Sequence, residues 1–138
     1  SITGATEVYA GSSITLTGNG TAATVDPWVS SNTGIATVDA SGEVTGVSGG
    51  STVITYTTDG GCSADVTVTV ASITGATEVC AGSGIILTGN LTPASVDPWV
   101  SSNPAVATVS STGEVTGVSG GSTVITYTTD GGCSTDYT

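Results

Sequence analysis

Apolar and polar residues alternate along most of this chain with a period of two, not 3.6. In the first half the alternating runs are Ile2 to Val8, Ser13 to Thr17, Trp28 to Ser30, Ile35 to Val38, Glu43 to Val47, Thr52 to Thr57 and Asp65 to Val70. Successive side chains on a strand point to opposite faces, so each run reads as a strand with one wet face and one dry face. Turn-forming residues separate the runs: Gly18-Asn19-Gly20, Ser41-Gly42, Gly49-Gly50 and Asp59-Gly60-Gly61. No stretch holds a helical period of useful length. The pattern predicts an all-β fold.

The pattern then begins again. Ser1 aligns with Ser72 without a gap, and about four aligned positions in five are identical. A repeat of this length is a small domain rather than one turn of a solenoid. Two domains are therefore expected, 1–71 and 72–138. Thr138 aligns with Thr67, so the second copy has no counterpart of Val68-Thr69-Val70-Ala71 and its last strand reads as truncated. Seven short strands with regularly spaced turns predict an immunoglobulin-like β-sandwich for each copy. Val66 to Ala71 passes into Ser72-Ile73 without a Pro- or Gly/Ser-rich linker, so the copies are expected to stack end to end as a semi-rigid rod. The expected core is Trp28, Ile14, Leu16, Val38, Val44, Val53 and Tyr56, matched by Trp99, Ile85, Leu87, Val109, Val115, Val124 and Tyr127. One Trp on the third strand fills the space between sheets, which favours a core role for Trp28 and Trp99 over a sugar-stacking one.

Charge narrows the function. Eleven carboxylates stand against no Lys, Arg or His, for a formal net charge of −11. Nothing here neutralises phosphate, which excludes nucleic acid as a partner, and no basic patch exists to hold an anionic membrane. No apolar run approaches the ~20 residues of a spanning helix. Ser and Thr abound, yet no His or Lys is present to activate one as a nucleophile. The carboxylates fall mostly at turns, as Asp59 and Asp130 do before Gly-Gly, where turn geometry alone favours Asp. The chain does not read as an enzyme. No cofactor is expected; calcium is the weaker alternative, through Asp26 and Asp97 before proline and Asp39 with Glu43 around a turn. Against it, the counterpart of Asp39 is Ser110.

Three ordered strings carry a family resemblance: Trp-x-Ser-Ser-Asn-x-x-(Val/Ile)-Ala-Thr-Val at Trp28 and Trp99, Gly-Glu-Val-Thr-Gly-Val at Gly42 and Gly113, and Gly-Gly-Ser-Thr-Val-Ile-Thr-Tyr at Gly49 and Gly120. Together they resemble the group 2 bacterial immunoglobulin-like domain, BIG2, over almost all of both copies. Glu-Val-Cys-Ala-Gly-Ser at Glu78 and Asp-Gly-Gly-Cys near each copy's end look like its cysteine-bearing variant. That variant occurs in tandem arrays of large secreted surface proteins of Bacteroidetes, including gliding-motility adhesins. The resemblance implies an extracellular, cell-surface stalk or adhesin module without catalytic residues.

Cys62 and Cys133 are equivalent positions; Cys80 stands where the first copy has Tyr9. The simplest pairing joins Cys80 to Cys133, linking the first strand to the approach of the last. Such a bond implies an oxidising compartment. Cys62 is then a free thiol or an intermolecular one, and a Cys62–Cys80 bond across the domain boundary is the further alternative. Zinc lacks the His and the clustered spacing it needs. The expected function is a non-catalytic structural repeat of a secreted adhesin, with identical neighbouring repeats or subunits as partners. The alternatives are a filament subunit completed by strand addition and a module binding surface glycans or host proteins. Loops that differ between copies, at Gly20 to Leu91, Ala22 to Pro93 and residues 33–35 to 104–106, are where a binding site would be sought.

Overall fold

The computed structural model describes residues 1–138 and contains strands, bridges and turns but no helix. It divides into two compact units, Ser1–Val70 and Ala71–Thr138.

The first unit begins with β1 (Ile2–Thr3), β2 (Glu7–Tyr9), β3 (Ser13–Thr15), β4 (Thr17–Gly18) and β5 (Trp28–Ser30). It continues with β6 (Ala36–Val38), β7 (Glu43–Gly46), β8 (Gly50–Thr57) and β9 (Ser63–Ala71). One sheet has the order β2-β9-β8-β5 and the other β3-β7-β6, with β1 and β4 as a separate pair. Val8, Leu16, Trp28, Ala36, Val44, Ile54, Tyr56, Val68 and Val70 form the core. The Trp28 and Tyr56 rings pack with centroids 4.5 Å apart. Tyr56 also donates its hydroxyl to the Gly20 carbonyl at 3.0 Å, so its buried polar end is satisfied. Gly18 lies under the Tyr56 ring, and a Cβ there would run into it. Gly42, at φ 87° in the β6–β7 turn, leaves just enough room for the Trp28 indole.

The expected core needs one change of parity. Val53 is 37% exposed, whereas Ile54 is fully buried. A strand alternates its faces, so the inward-facing Tyr56 fixes Ile54 and Thr52 as inward and Val53 as outward. Ile14 and Val38 are half-buried against the core, and Val8, Ala36, Val68 and Val70 belong to it as well.

The second unit comprises β10 (Ile73–Thr74), β11 (Gly84–Ile86), β12 (Thr88–Gly89), β13 (Trp99–Ser101), β14 (Ala107–Val109), β15 (Glu114–Gly117), β16 (Ile125–Thr128) and β17 (Ser134–Tyr137). Its sheets run β13-β16-β17 and β11-β15-β14, beside the β10-β12 pair. Leu87, Trp99, Ala107, Val115, Ile125 and Tyr127 fill the core, with the Trp99 and Tyr127 rings 4.4 Å apart. Two elements are reduced. The β8–β9 ladder runs from Gly50↔Val70 to Thr57↔Ser63, whereas β16–β17 runs only from Ile125↔Tyr137 to Thr128↔Ser134. Residues 78–80, which match β2, form no strand.

Candidate functional site

The Trp-x-Ser-Ser-Asn string is explained by a hydroxyl cluster beneath the β5–β6 turn. Thr52 is 3% exposed, and its Oγ1 meets Ser30 Oγ at 3.2 Å and Ser31 Oγ at 3.1 Å. It also accepts the Asn32 N–H at 2.9 Å. Ser30 Oγ donates to the Ala36 carbonyl at 2.7 Å, and Asn32 Oδ1 accepts the Gly34 N–H at 3.0 Å. Buried hydroxyls satisfied in this way pin a turn and leave little capacity for a ligand. Ser101, Ser102, Asn103 and Thr123 repeat the arrangement. Thr52 and Thr123 did not stand out in the sequence, although both copies keep Ser-Ser-Asn and Ser-Thr-Val at a fixed distance.

The turns that differ in sequence are tied down identically. Tyr127 Oη donates to the Leu91 carbonyl as Tyr56 Oη does to that of Gly20. Ala22 bridges Thr58, and Pro93 bridges Thr129. Ser48 Oγ donates to the Gly34 carbonyl at 2.6 Å, and Ser119 Oγ to that of Ala105 at 2.7 Å.

Of the candidate calcium ligands, Asp39 serves the backbone. Asp39 Oδ1 accepts the Ser41 and Glu43 N–H groups, each at 2.9 Å, and the Ser41 hydroxyl at 2.7 Å. These bonds, that from the Ser41 side chain first, hold its carboxyl below the ordinary value of 3.8. Glu43 accepts from Ser13 Oγ at 2.6 Å. Asp26 and Asp97 each adopt φ 44° before a proline. No group of three or more His, Cys, Asp or Glu side chains is gathered closely enough to hold a metal ion.

The cysteines do not meet as expected. Cys80 is an exposed free thiol, so the expected Cys80–Cys133 bond is not formed. The first unit shows why. The Tyr9 carbonyl and a Val70 methyl both lie against Gly46, which places Tyr9 at the far end of β9. Cys62 precedes the near end, about 26 Å away at the rise of an extended strand. A disulfide needs Cα atoms within about 7 Å. In the second unit the Cys80 carbonyl likewise lies against Gly117, whereas Cys133 sits in the turn before β17 and its N–H donates to Thr129 Oγ1 at 3.2 Å. Cys62 occupies the equivalent turn as an exposed free thiol, its carbonyl accepting the Thr58 N–H at 2.9 Å.

A cleft of about 800 Å³ opens in the second unit. Val79, Leu87, Val115 and Ile125 line it, with residues 121–123 along one wall and Glu78 and Cys80 along the other. In the first unit the matching walls are β8 and β2, and the end of β9 lies between them.

A two-sheet sandwich of immunoglobulin type, repeated in tandem and pinned by a Trp–Tyr pair, is the class these observations define. The sequence matches the Big_2 family, bacterial Ig-like domain (group 2), over residues 1–70 and again over residues 67–136. The chain belongs to this family. No curated protein sequence matches it. Among solved structures, an intimin mutant of EHEC O157:H7 is 32% identical, covering 50% of this chain and 39% of its own, with a TM-score of 0.40. The C-terminal 282-residue fragment of intimin, in complex with the intimin-binding domain of the translocated intimin receptor, is 18% identical. That match covers 99% of this chain and 61% of the intimin chain, with a TM-score of 0.44. Domains 4 and 5 of the S-layer protein SbsC are 21% identical, covering 99% of this chain and 94% of that one, with a TM-score of 0.35.

Proposed function

We propose that this chain is a non-catalytic structural repeat pair of a secreted bacterial surface protein, extending an adhesive region away from the cell. The observation that carries this reading is the behaviour of the loops. Where the two copies differ in sequence, at Gly20 and Leu91 or Gly34 and Ala105, both keep the same backbone anchors. Variation that leaves the scaffold untouched and gathers no reactive or ligating side chains suits a spacer, which needs length and uniformity. Family membership and a surface of carboxylates and hydroxyls without any base support an extracellular setting. The finer placing, among gliding-motility adhesins of Bacteroidetes, rests on the resemblance of the cysteine-bearing opening alone. Neighbouring repeats are the partners this role requires.

The test is binding of the immobilised chain to arrays of glycans and to extracellular-matrix proteins. A spacer gives no saturable signal. Saturable binding that is lost when residues 20–24 or 33–35 are exchanged between copies overturns the reading and establishes a binding module.

A further inference from the structure

We propose that Asn19 is a site of spontaneous covalent modification that ages the first unit alone: its carboxamide cyclises onto the Gly20 nitrogen, and the ring opens to an isoaspartyl or aspartyl residue. This does not depend on the surface reading.

Asparagine stands at 19, 32, 90 and 103, and the residue after each decides whether such a ring can form. The attacking atom is the main-chain nitrogen of that following residue, which must carry a proton and be open to approach. Asn103 precedes Pro104, which has no N–H. Asn32 precedes the β-branched Thr33, and its Oδ1 already accepts the Gly34 N–H at 3.0 Å. Asn90 precedes Leu91, whose side chain crowds the nitrogen. Asn19 alone precedes glycine.

The turn itself favours the attack. Asn19 is exposed, and so is Asn90, so access does not separate the copies. The Gly20 N–H donates to no group of the chain; its carbonyl accepts the Tyr56 hydroxyl. A Cβ built on Gly20 would meet only Thr58 Cγ2, at 3.4 Å, so the space beside the nitrogen is open. Gly20 also lies at φ 97°, a region that Leu91 does not adopt.

In the first step the Gly20 nitrogen gives its proton to solvent and bonds to Asn19 Cγ, while the Cγ–Nδ2 bond breaks and ammonia leaves. Water then adds to one of the two imide carbonyls. Opening on one side gives aspartate. Opening on the other carries the main chain through the former side chain and adds a methylene before Gly20. Water is consumed and ammonia released, with no oxidant or reductant. The isoaspartyl link displaces the Gly20 carbonyl from Tyr56 Oη and loosens the ring that packs on Trp28.

The test is storage of the full chain at mildly alkaline pH, with fragment-ion mass mapping at intervals. Residue 19 should gain the mass that replaces an amide by an acid at least about tenfold faster than residue 90, a barrier difference of about 1.4 kcal/mol. Asp59 and Asp130 also precede glycine, but an imide there returns the original mass, so the gain reads asparagine alone. Gly20→Leu should abolish the gain. That variant separates the effect of the following residue from the bond that Asn90 Oδ1 accepts from the Ser72 N–H. Isoaspartyl chains, isolated by chromatography, should unfold their first unit at lower urea and their second unit at the same urea as before. No gain at residue 19, equal gains at 19 and 90, or an undiminished gain in Gly20→Leu overturns the proposal. An unchanged urea midpoint for the first unit of isoaspartyl chains overturns it as well.

Discussion

The two units are near-copies whose largest difference is the last strand. In the first, β9 runs for nine residues and seals the sandwich; in the second, β17 runs for four and a cleft follows it. The difference separates two sources of order. The Trp–Tyr pair, the Thr–Ser–Asn cluster and the Gly-Gly-Cys turns persist in both, so they depend on local sequence. The strand at Glu7–Tyr9 and the first half of β8 are absent from the second unit although their residues are nearly all present. Those elements depend on a partner strand: a ladder edge with nothing to pair with does not repay its ordering entropy.

The largest test of this division is removal of the shared centre. Trp28→Ala and Trp99→Ala should each cost their own unit about 4 kcal/mol, as loss of a large buried aromatic does. The losses should be nearly equal, because the two indoles are 7% and 8% exposed and pack on equivalent tyrosines. Urea unfolding followed by the remaining Trp should leave the untouched unit unchanged. A clearly smaller loss for Trp99→Ala would show that the cleft loosens the core as far as the indole.

Removing the seal itself comes next. Val68→Ala and Val70→Ala should each destabilise the first unit by about 2 kcal/mol, from lost burial and the cavity left behind. The unaltered chain should show two transitions, the second unit unfolding first. The double variant should bring the transitions together, and a single transition in the unaltered chain would mean that β9 adds little.

Thr52→Val and Thr123→Val compare the hydroxyl cluster with and without the seal. Thr52→Val removes the buried oxygen that joins Ser30, Ser31 and the Asn32 N–H, which keep only the Ala36 carbonyl, the Val53 N–H and Ser30 Oγ as partners, for about 2 kcal/mol by the usual cost of lost hydrogen bonds. Thr123 makes the same bonds but is only half-buried, so water replaces part of what is lost. Its substitution should cost about half as much by thermal unfolding. Equal losses would show that burial is not what sets the value of the cluster.

The sandwich, the repeat and most strands were legible because alternation and turn residues are local signals. Parity was the weak point: a β-branched pair such as Val53-Ile54 offers two apolar letters for one inward position, and only Tyr56 decides between them. The cysteines failed for a different reason. Cys80 and Cys133 lie in segments expected to be neighbours, but neighbouring segments touch along their whole length and a disulfide needs one point. Position along β9 separates the equivalent Tyr9 and Cys62 in the first unit, and a strand list does not contain it. The Thr52 cluster was missed because Thr and Ser are common here, and only their joint recurrence beside Trp marks them. The lining of the cleft needed the fold.

The smallest predicted effect isolates a single carboxylate. Glu7, Asp26, Glu43, Asp59 and Asp65 each have an acidic counterpart in the second unit, whereas Asp39 faces Ser110. Ser110 Oγ accepts the Glu114 N–H at 3.1 Å and the Thr112 N–H at 3.3 Å, the same turn bonds without a titrating group. Asp39 is held below 3.8 when folded, chiefly by the Ser41 hydroxyl. A depressed carboxyl adds stability that is complete above the unfolded value and is lost as pH falls through the folded one. Between pH 5 and 3, the first unit should therefore lose stability more steeply than the second. Asp39→Ser should make the two slopes equal, as read by urea unfolding of each unit across that range. Slopes that differ as much in Asp39→Ser as in the unaltered chain would place the acid sensitivity of the first unit in β9 rather than in this turn.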